Sequence, residues 1–214
     1  MIISYNAPMN ASNADDRRPR NPGRPREFDM DMTVESAVRI FRERGYHATS
    51  VSDLCAATGL TAGSIYKAFG DKRALFLAAL DRYVETRNAE LAQLLEAQPT
   101  GRDKIRAVLR FYAEASCGEE GRRGCLVVSS AIALATFDEE MAAQVEAAMQ
   151  RSEDMLRRLL RQGKRDGSIS SDIHEQAMAR SLLALLHGFR SIGKSGRTRN
   201  EMLTAADEAL RLLD

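Results

Sequence analysis

Cys117 and Cys125 stand eight residues apart, with Arg122 and Arg123 just ahead of the second thiol. Thiol pairs of this kind are candidates for reversible oxidation, provided something lowers the pKa of one partner. Adjacent cations do so, and so does a helix N-terminus. If a helix starts at Gly124, Cys125 sits at its positive end. Two roles stay open for Cys125: a sensing thiol, or a small core residue. Cys55 reads as core. The three histidines (47, 174 and 187) have no cysteine or carboxylate neighbours at ligand spacing. No metal site is therefore expected. Nor does the chain carry a nucleophile elbow, a P-loop or a GxGxxG motif, so no cofactor is assigned.

A different chemistry lies between residues 50 and 72. Ser50–Thr58 and Thr61–Phe69 read as two short helices about a Gly59 turn, which is a helix-turn-helix. The first helix would buttress the second, whose leading residues can enter a DNA major groove. Thr61, Ala62, Gly63, Ser64, Tyr66 and Lys67 are the exposed candidates on it. Small residues at 62 and 63 permit close approach, and Thr61 and Ser64 carry donors. Thr49 and Ser50, at the entrance to the first short helix, are counted with them. Lys72 falls in the first turn of the next helix, where a cation opposes the macrodipole; a DNA phosphate would explain it.

The elements around these residues are expected to be helical throughout. The 214 residues are 44% hydrophobic and only 6% aromatic, with no Trp, five Pro and 14 Gly. That composition argues against β-sandwiches, collagen-like repeats and disulfide scaffolds. Helical periods run from Asp29 to Gly45, over the two short helices, and from Asp71 to about Ala97. Further helices are expected at 102–117, 124–136 (where Val127-Val128 fits a strand equally), and from Asp138 to about Gly163. An eighth should begin at a capping box, Asp172 to Glu175, and a ninth at a second box, Thr198 to Glu201. The eighth is apolar on nearly every face from Ala177 to Ile192, so it needs cover on two sides. A second copy of the chain is the simplest candidate.

Charge is nearly balanced, 31 basic against 30 acidic residues, yet residues 17–26 hold five Arg and three Pro with no acid. Residues 1–26 read as a mobile basic arm. Its Pro22-Gly-Arg24-Pro25-Arg26 looks like arms that enter narrow A·T-rich minor grooves, with Arg24 and Arg26 inserted. The plainer alternative is a solvated leader. Three cysteines, no visible signal peptide and no apolar run near 20 residues lead to the expectation of a cytoplasmic chain without a membrane partner.

The run Phe41…Gly45-Tyr46…Thr49-Ser50-Val51…Asp53-Leu54…Gly59-Leu60…Ser64-Ile65-Tyr66…Phe69…Asp71-Lys72…Leu75-Phe76 resembles the DNA-binding domain of the TetR/AcrR regulators. It is gapless, and its Gly-Leu, Tyr-x-x-Phe and Lys-x-x-Leu-Phe elements are specific. Cys55 departs from the family's usual Ala. The resemblance implies an all-α fold of about nine helices: a DNA-binding domain over 27–87 and an effector and dimerisation domain over 88–214. It implies a homodimer through the last two helices and double-stranded DNA, an inverted-repeat operator, as partner. Thr61, Ser64, Tyr66 and Lys67 would face that DNA, and Lys72 would meet phosphate. It further implies a non-enzymatic repressor released by a small-molecule inducer. Gly124-Cys125-Leu126 resembles an element of redox- and electrophile-responsive members, which also carry a lysine after a glycine in helix eight, as in Gly188…Lys194. That makes Cys117, Cys125 and Lys194 candidate sensing residues, with an oxidant as the alternative effector. Two other classes compete: a thiol oxidoreductase using the two cysteines, and a purely structural helical dimer.

Overall fold

Asp29 accepts the backbone N–H groups of Asp31 and Met32 and so starts the first helix, α1 (Met30–Arg44). The computed structural model describes residues 29–134 and 138–214, and every regular element among them is helical. Arg24 and Arg26 lie outside the described residues. Val34, Ala37, Val38 and Phe41 form the inward stripe of α1, at the three- and four-residue spacing of an amphipathic helix. Next, α2 (Val51–Thr58) opens with the Ser50–Asp53 capping box and α3 (Ala62–Phe69) with Thr61 as N-cap. Asp71 caps the 25-residue α4 (Lys72–Glu96), which runs on past residue 87 without a break.

The remaining helices are α5 (Gly101–Glu114), α6 (Gly118–Arg123), α7 (Leu126–Leu134), α8 (Glu139–Arg165), α9 (Glu175–Ile192) and α10 (Arg199–Ala209). Three of these depart from the sequence expectation. The helix expected to reach Cys117 ends at Glu114, and the segment read as a connection forms α6. Glu119 and Glu120 in its first turn and Arg122 and Arg123 in its last match the helix dipole at both ends. Residues 126–134 are helical, which settles the strand alternative; the expected end of that helix at 136 lies outside the described residues. Finally, α9 starts after His174, whose Nδ1 accepts from the Ala177 N–H at 3.3 Å, and not at an Asp172 box. The box predicted at Thr198 is present.

Two apolar clusters organise these helices. Phe41, Leu54, Ile65, Leu75, Phe76 and Ala79 fill the first, with Leu126, Met141 and Val145 packed in from α7 and α8. The helix-turn-helix therefore shares its core with the rest of the molecule. The Phe41 and Phe76 rings meet edge-on at 5.1 Å, and Tyr46 meets Phe76 at the same distance. The second cluster lies between α5, α8, α9 and α10 and includes Ile105, Leu109, Leu160, Leu182, Leu186 and Met202. The outer side of α9 is less bulky than its composition suggests. Ala177, Ser181, Ala184 and Gly188 are exposed along it, together with Arg180 and Ile192.

Candidate nucleic-acid interface and thiol site

The second short helix buries Ile65 fully, packs Phe69 against the first cluster, and presents its leading face. Thr61, Ala62, Gly63, Ser64, Tyr66 and Lys67 are all exposed. The Thr61 hydroxyl accepts the Ser64 N–H at 3.2 Å and lies 2.9 Å from the Ser64 hydroxyl, so both oxygens sit together at the leading end. A Cβ built on Gly63 would meet nothing closer than Thr61 Oγ1 at 3.9 Å. The surface there is flat and open to another backbone. Tyr66 keeps 47% of its surface in solvent, an unusual exposure for a ring with no packing role.

Thr49 does not belong with this group. It is wholly buried, and its hydroxyl donates to the Gly45 carbonyl at 2.7 Å, because it closes the turn between α1 and α2. Its side chain is a packing element, closed to DNA. Ser50 is exposed, but its hydroxyl donates to Asp53 at 2.7 Å and accepts the Asp53 N–H, leaving little for a phosphate. That bond, ahead of the nearby Arg44, holds the Asp53 carboxyl below the usual carboxylate range.

Lys72 is half-buried at the start of α4, with its Nζ 4.2 Å above the centre of the Tyr46 ring. Burial pushes its amine downward, and the ring's negative face offsets part of that cost. The sequence points to Lys72 and not to Tyr46 beneath it. One residue on, Arg73 holds Asp138, the N-cap of α8, through two bonds at 2.6 and 3.0 Å. The N-terminal end of α4 is thereby tied to the long helix α8.

The thiols are held differently from one another. Cys117 is the N-cap residue of α6, and its Sγ–H donates to the Glu114 carbonyl at 3.0 Å. Burial, and then the charge of Glu114, push this thiol up, away from the reactive thiolate. Cys125 immediately precedes α7, and its carbonyl accepts the Ser129 N–H at 3.0 Å. Cys117 packs on the second cluster and Cys125 on the first. The six residues of α6 between them rise about 9 Å along a helix axis. A disulfide needs Cα atoms within about 7 Å, so α6 would have to open first.

Around Cys125 the structure assembles three cations. The Gly124 carbonyl accepts from Arg42 Nε at 3.0 Å, Arg42 Nη2 at 2.7 Å and Arg190 Nη2 at 2.6 Å. Lys194 lies across Gly124, where a Cβ would come 2.2 Å from its Cε; φ is +80° there, so only glycine suits. Lys194 itself is not on the expected helix but in the 3₁₀ turn Gly193–Ser195 beyond it. Arg42 and Arg190 were missed from the sequence, although each sits on the inward stripe of its helix. A buried arginine in such a stripe is the signal that points to them.

Beside this site, α4, α5 and α8 line a half-open cleft of about 580 Å³. Leu91, Leu95, Met155 and Leu159 give it apolar walls, and charged residues of both signs, Lys104 and Asp154 among them, also line it. That is the size and make-up of a small-molecule site.

An exposed recognition helix on a shared helical core is the arrangement of a helix-turn-helix regulator. Residues 34–79 match the model for bacterial regulatory proteins of the tetR family, and residues 101–207 match the tetracyclin repressor-like C-terminal domain. The HTH-type transcriptional regulator YezE of Bacillus subtilis is 31% identical over 193 residues, covering 90% of this chain and 100% of that one. The HTH-type transcriptional repressor ComR of Escherichia coli is 29% identical over 198 residues, 90% of this chain and 92% of its own. Among solved structures, a cysteine mutant of the TetR regulator CifR complexed with a 26-base-pair operator superposes with a TM-score of 0.79. It is 30% identical and covers 90% of this chain and 100% of that one. The chain belongs to the TetR family of DNA-binding transcriptional regulators. Among the described residues, no helix is long and apolar enough to cross a membrane.

Proposed function

We propose that the protein is a repressor that binds an inverted-repeat operator as a homodimer and leaves it when its C-terminal domain takes up a signal. The exposed leading end of α3 carries this reading. Thr61, Ser64, Tyr66 and Lys67 present donors, a ring and a cation with no core to fill, and Lys72 follows at the edge as the phosphate contact. ComR is described as a repressor, and the CifR complex holds operator DNA. The outward faces of α9 and α10 form the dimer contact in this account, since the small residues of α9 allow a close helix pair. Residues 1–26 supply a basic arm whose Arg24 and Arg26 follow the minor groove. The chain then divides into a DNA-binding unit up to residue 87 and an effector and dimer unit from 88. A ligand in the 580 Å³ cleft, against α4, would displace that helix and change the spacing of the two recognition helices. Selecting bound fragments from genomic DNA, then screening compounds that release them, tests the whole reading; a protein that selects no sequence is not an operator-binding repressor.

A second reading is favoured by one observation. Cys125 adjoins the carbonyl that ties Arg42, on α1, to Arg190, on α9. A change at this thiol has a direct route to the DNA-binding helices. In the CifR mutant, two of the three replaced cysteines are eight positions apart, as Cys117 and Cys125 are here. Oxidant-induced release that is lost in Cys125→Ser supports this reading; equal release in both proteins refutes it.

A further inference from the structure

Arg190 is 3% exposed, and its guanidinium is only partly paired. Nη2 donates to Gly124 at 2.6 Å, while Nη1 finds no hydrogen-bond partner among the described residues. A buried N–H on a charged group left unpaired is costly and calls for an explanation. Arg190 lines a cavity of about 40 Å³, together with Tyr83, Tyr112, Cys125, Ser152 and His187. That is room for about three water-sized groups. The Tyr83 hydroxyl also belongs to this cluster. Burial pushes its pKa up, so it stays protonated and able to donate. Burial works against the Arg190 charge, and the nearby Glu120 carboxylate opposes that and helps to keep the guanidinium cationic.

We propose that Arg190 and Tyr83 form a receptor for the oxygen atom that Cys125 acquires when it reacts with a small hydroperoxide. The inference rests on the thiol-sensing reading and names the chemistry of its site. In the reaction, the Cys125 sulfur attacks the terminal oxygen of R–O–O–H. The S–O bond forms as the O–O bond breaks, so Cys125–SH and ROOH give Cys125–SOH and ROH. Sulfur loses two electrons, the peroxide gains them, and the thiol proton ends on the leaving oxygen. The unpaired Nη1 and the Tyr83 hydroxyl then donate to the new oxygen. Two donors already in place, in a space with little water, favour the charge that develops on the oxygens during transfer. The small volume selects hydrogen peroxide or a short alkyl hydroperoxide over a bulky electrophile. The larger cleft borders this cavity through Asn88, Tyr112 and Ser152, which gives a path inward. The oxygen held at Nη1 and the Gly124 carbonyl held at Nη2 then share one guanidinium, so the modification reaches the carbonyl that also anchors Arg42 and α1.

The test is the rate of sulfenic acid formation at each cysteine of the full-length protein, with hydrogen peroxide as oxidant and a dimedone trap read by mass spectrometry. Cys125 is expected to react before Cys55 and Cys117. Arg190→Lys, which keeps the charge but loses the second donor, should slow it about tenfold or more, and Tyr83→Phe should do likewise. Tyr83→Phe stands alone as evidence if Arg190→Lys fails to fold. Unchanged rates in the folded variants overturn the proposal. So does a Cys125 that is alkylated by iodoacetamide yet resists peroxide. DNA affinity of the untreated wild type is measured alongside: normal affinity with an inert Cys125 ends this inference and leaves the repressor reading standing, whereas absent DNA binding ends the repressor reading by itself.

Discussion

Arg73 grips both carboxylate oxygens of Asp138, Nε to Oδ2 at 2.6 Å and Nη2 to Oδ1 at 3.0 Å, across a sequence gap of 65 residues. The pair joins the first turn of α4 to the N-terminus of α8, and Asp138 also accepts the Met141 N–H at 3.0 Å. It is a side-chain tie between the DNA-binding end and the body, parallel to the Arg42–Gly124 contact.

That tie predicts a pH response. Chiefly through Arg73, the Asp138 carboxyl is lowered to about 2. A carboxyl whose folded pKa is below its unfolded value of about 3.9 stabilises the fold above that value and ceases to do so as pH falls through the folded pKa. Urea midpoints of the wild type should therefore fall between about pH 4 and pH 2. Asp138→Asn should flatten part of that slope, the remainder coming from Asp53, Asp166 and Glu201, which are lowered too. Superimposable profiles would show that the pair contributes nothing.

Lys72→Ala is expected to weaken binding to every DNA sequence and to reduce the slope of log affinity against log salt by about one. Tyr46→Leu should reproduce part of the loss, because the ring holds the ammonium at 4.2 Å. Titrations of selected and random duplexes at several salt concentrations measure both effects. Ser64→Ala should instead change which bases are preferred.

Gly188→Arg tests the dimer face. A Cβ there meets nothing within 4 Å inside the protomer, so the protomer has room for the change. Light scattering should report a monomer, and DNA affinity should fall with it. A dimer of unchanged size would move the interface away from α9.

Phe41→Ala should cost about 3–5 kcal/mol in chemical unfolding, since the ring is fully buried against Phe76. Because the same cluster takes in Met141 and Val145 from α8, the loss should appear as one cooperative transition, monitored by circular dichroism.

The helix-turn-helix was legible because its signals are local. Ser50, Thr61 and Asp71 cap helices, Gly59 ends one, and Ile65 and Phe69 mark the inward positions of α3. The helix α6 was not, because its glycines mask a favourable order of acids before bases. Thr49 was misread for a related reason: the same hydroxyl serves DNA when exposed and the Gly45 carbonyl when buried, and only packing decides. The clamp on Gly124 draws Arg42 and Arg190 from helices almost 150 residues apart, a proximity that no local pattern encodes.

Nuclease protection on fragments selected from genomic DNA shows whether α3 reads DNA in a two-fold complex. Two protected half-sites of inverted sequence are expected, on one face of the duplex and about one helical turn or a multiple of it apart. Protection should weaken when Lys67 or Lys72 is replaced by Ala. Failure to enrich any sequence, or protection unaffected by both replacements, would contradict that arrangement.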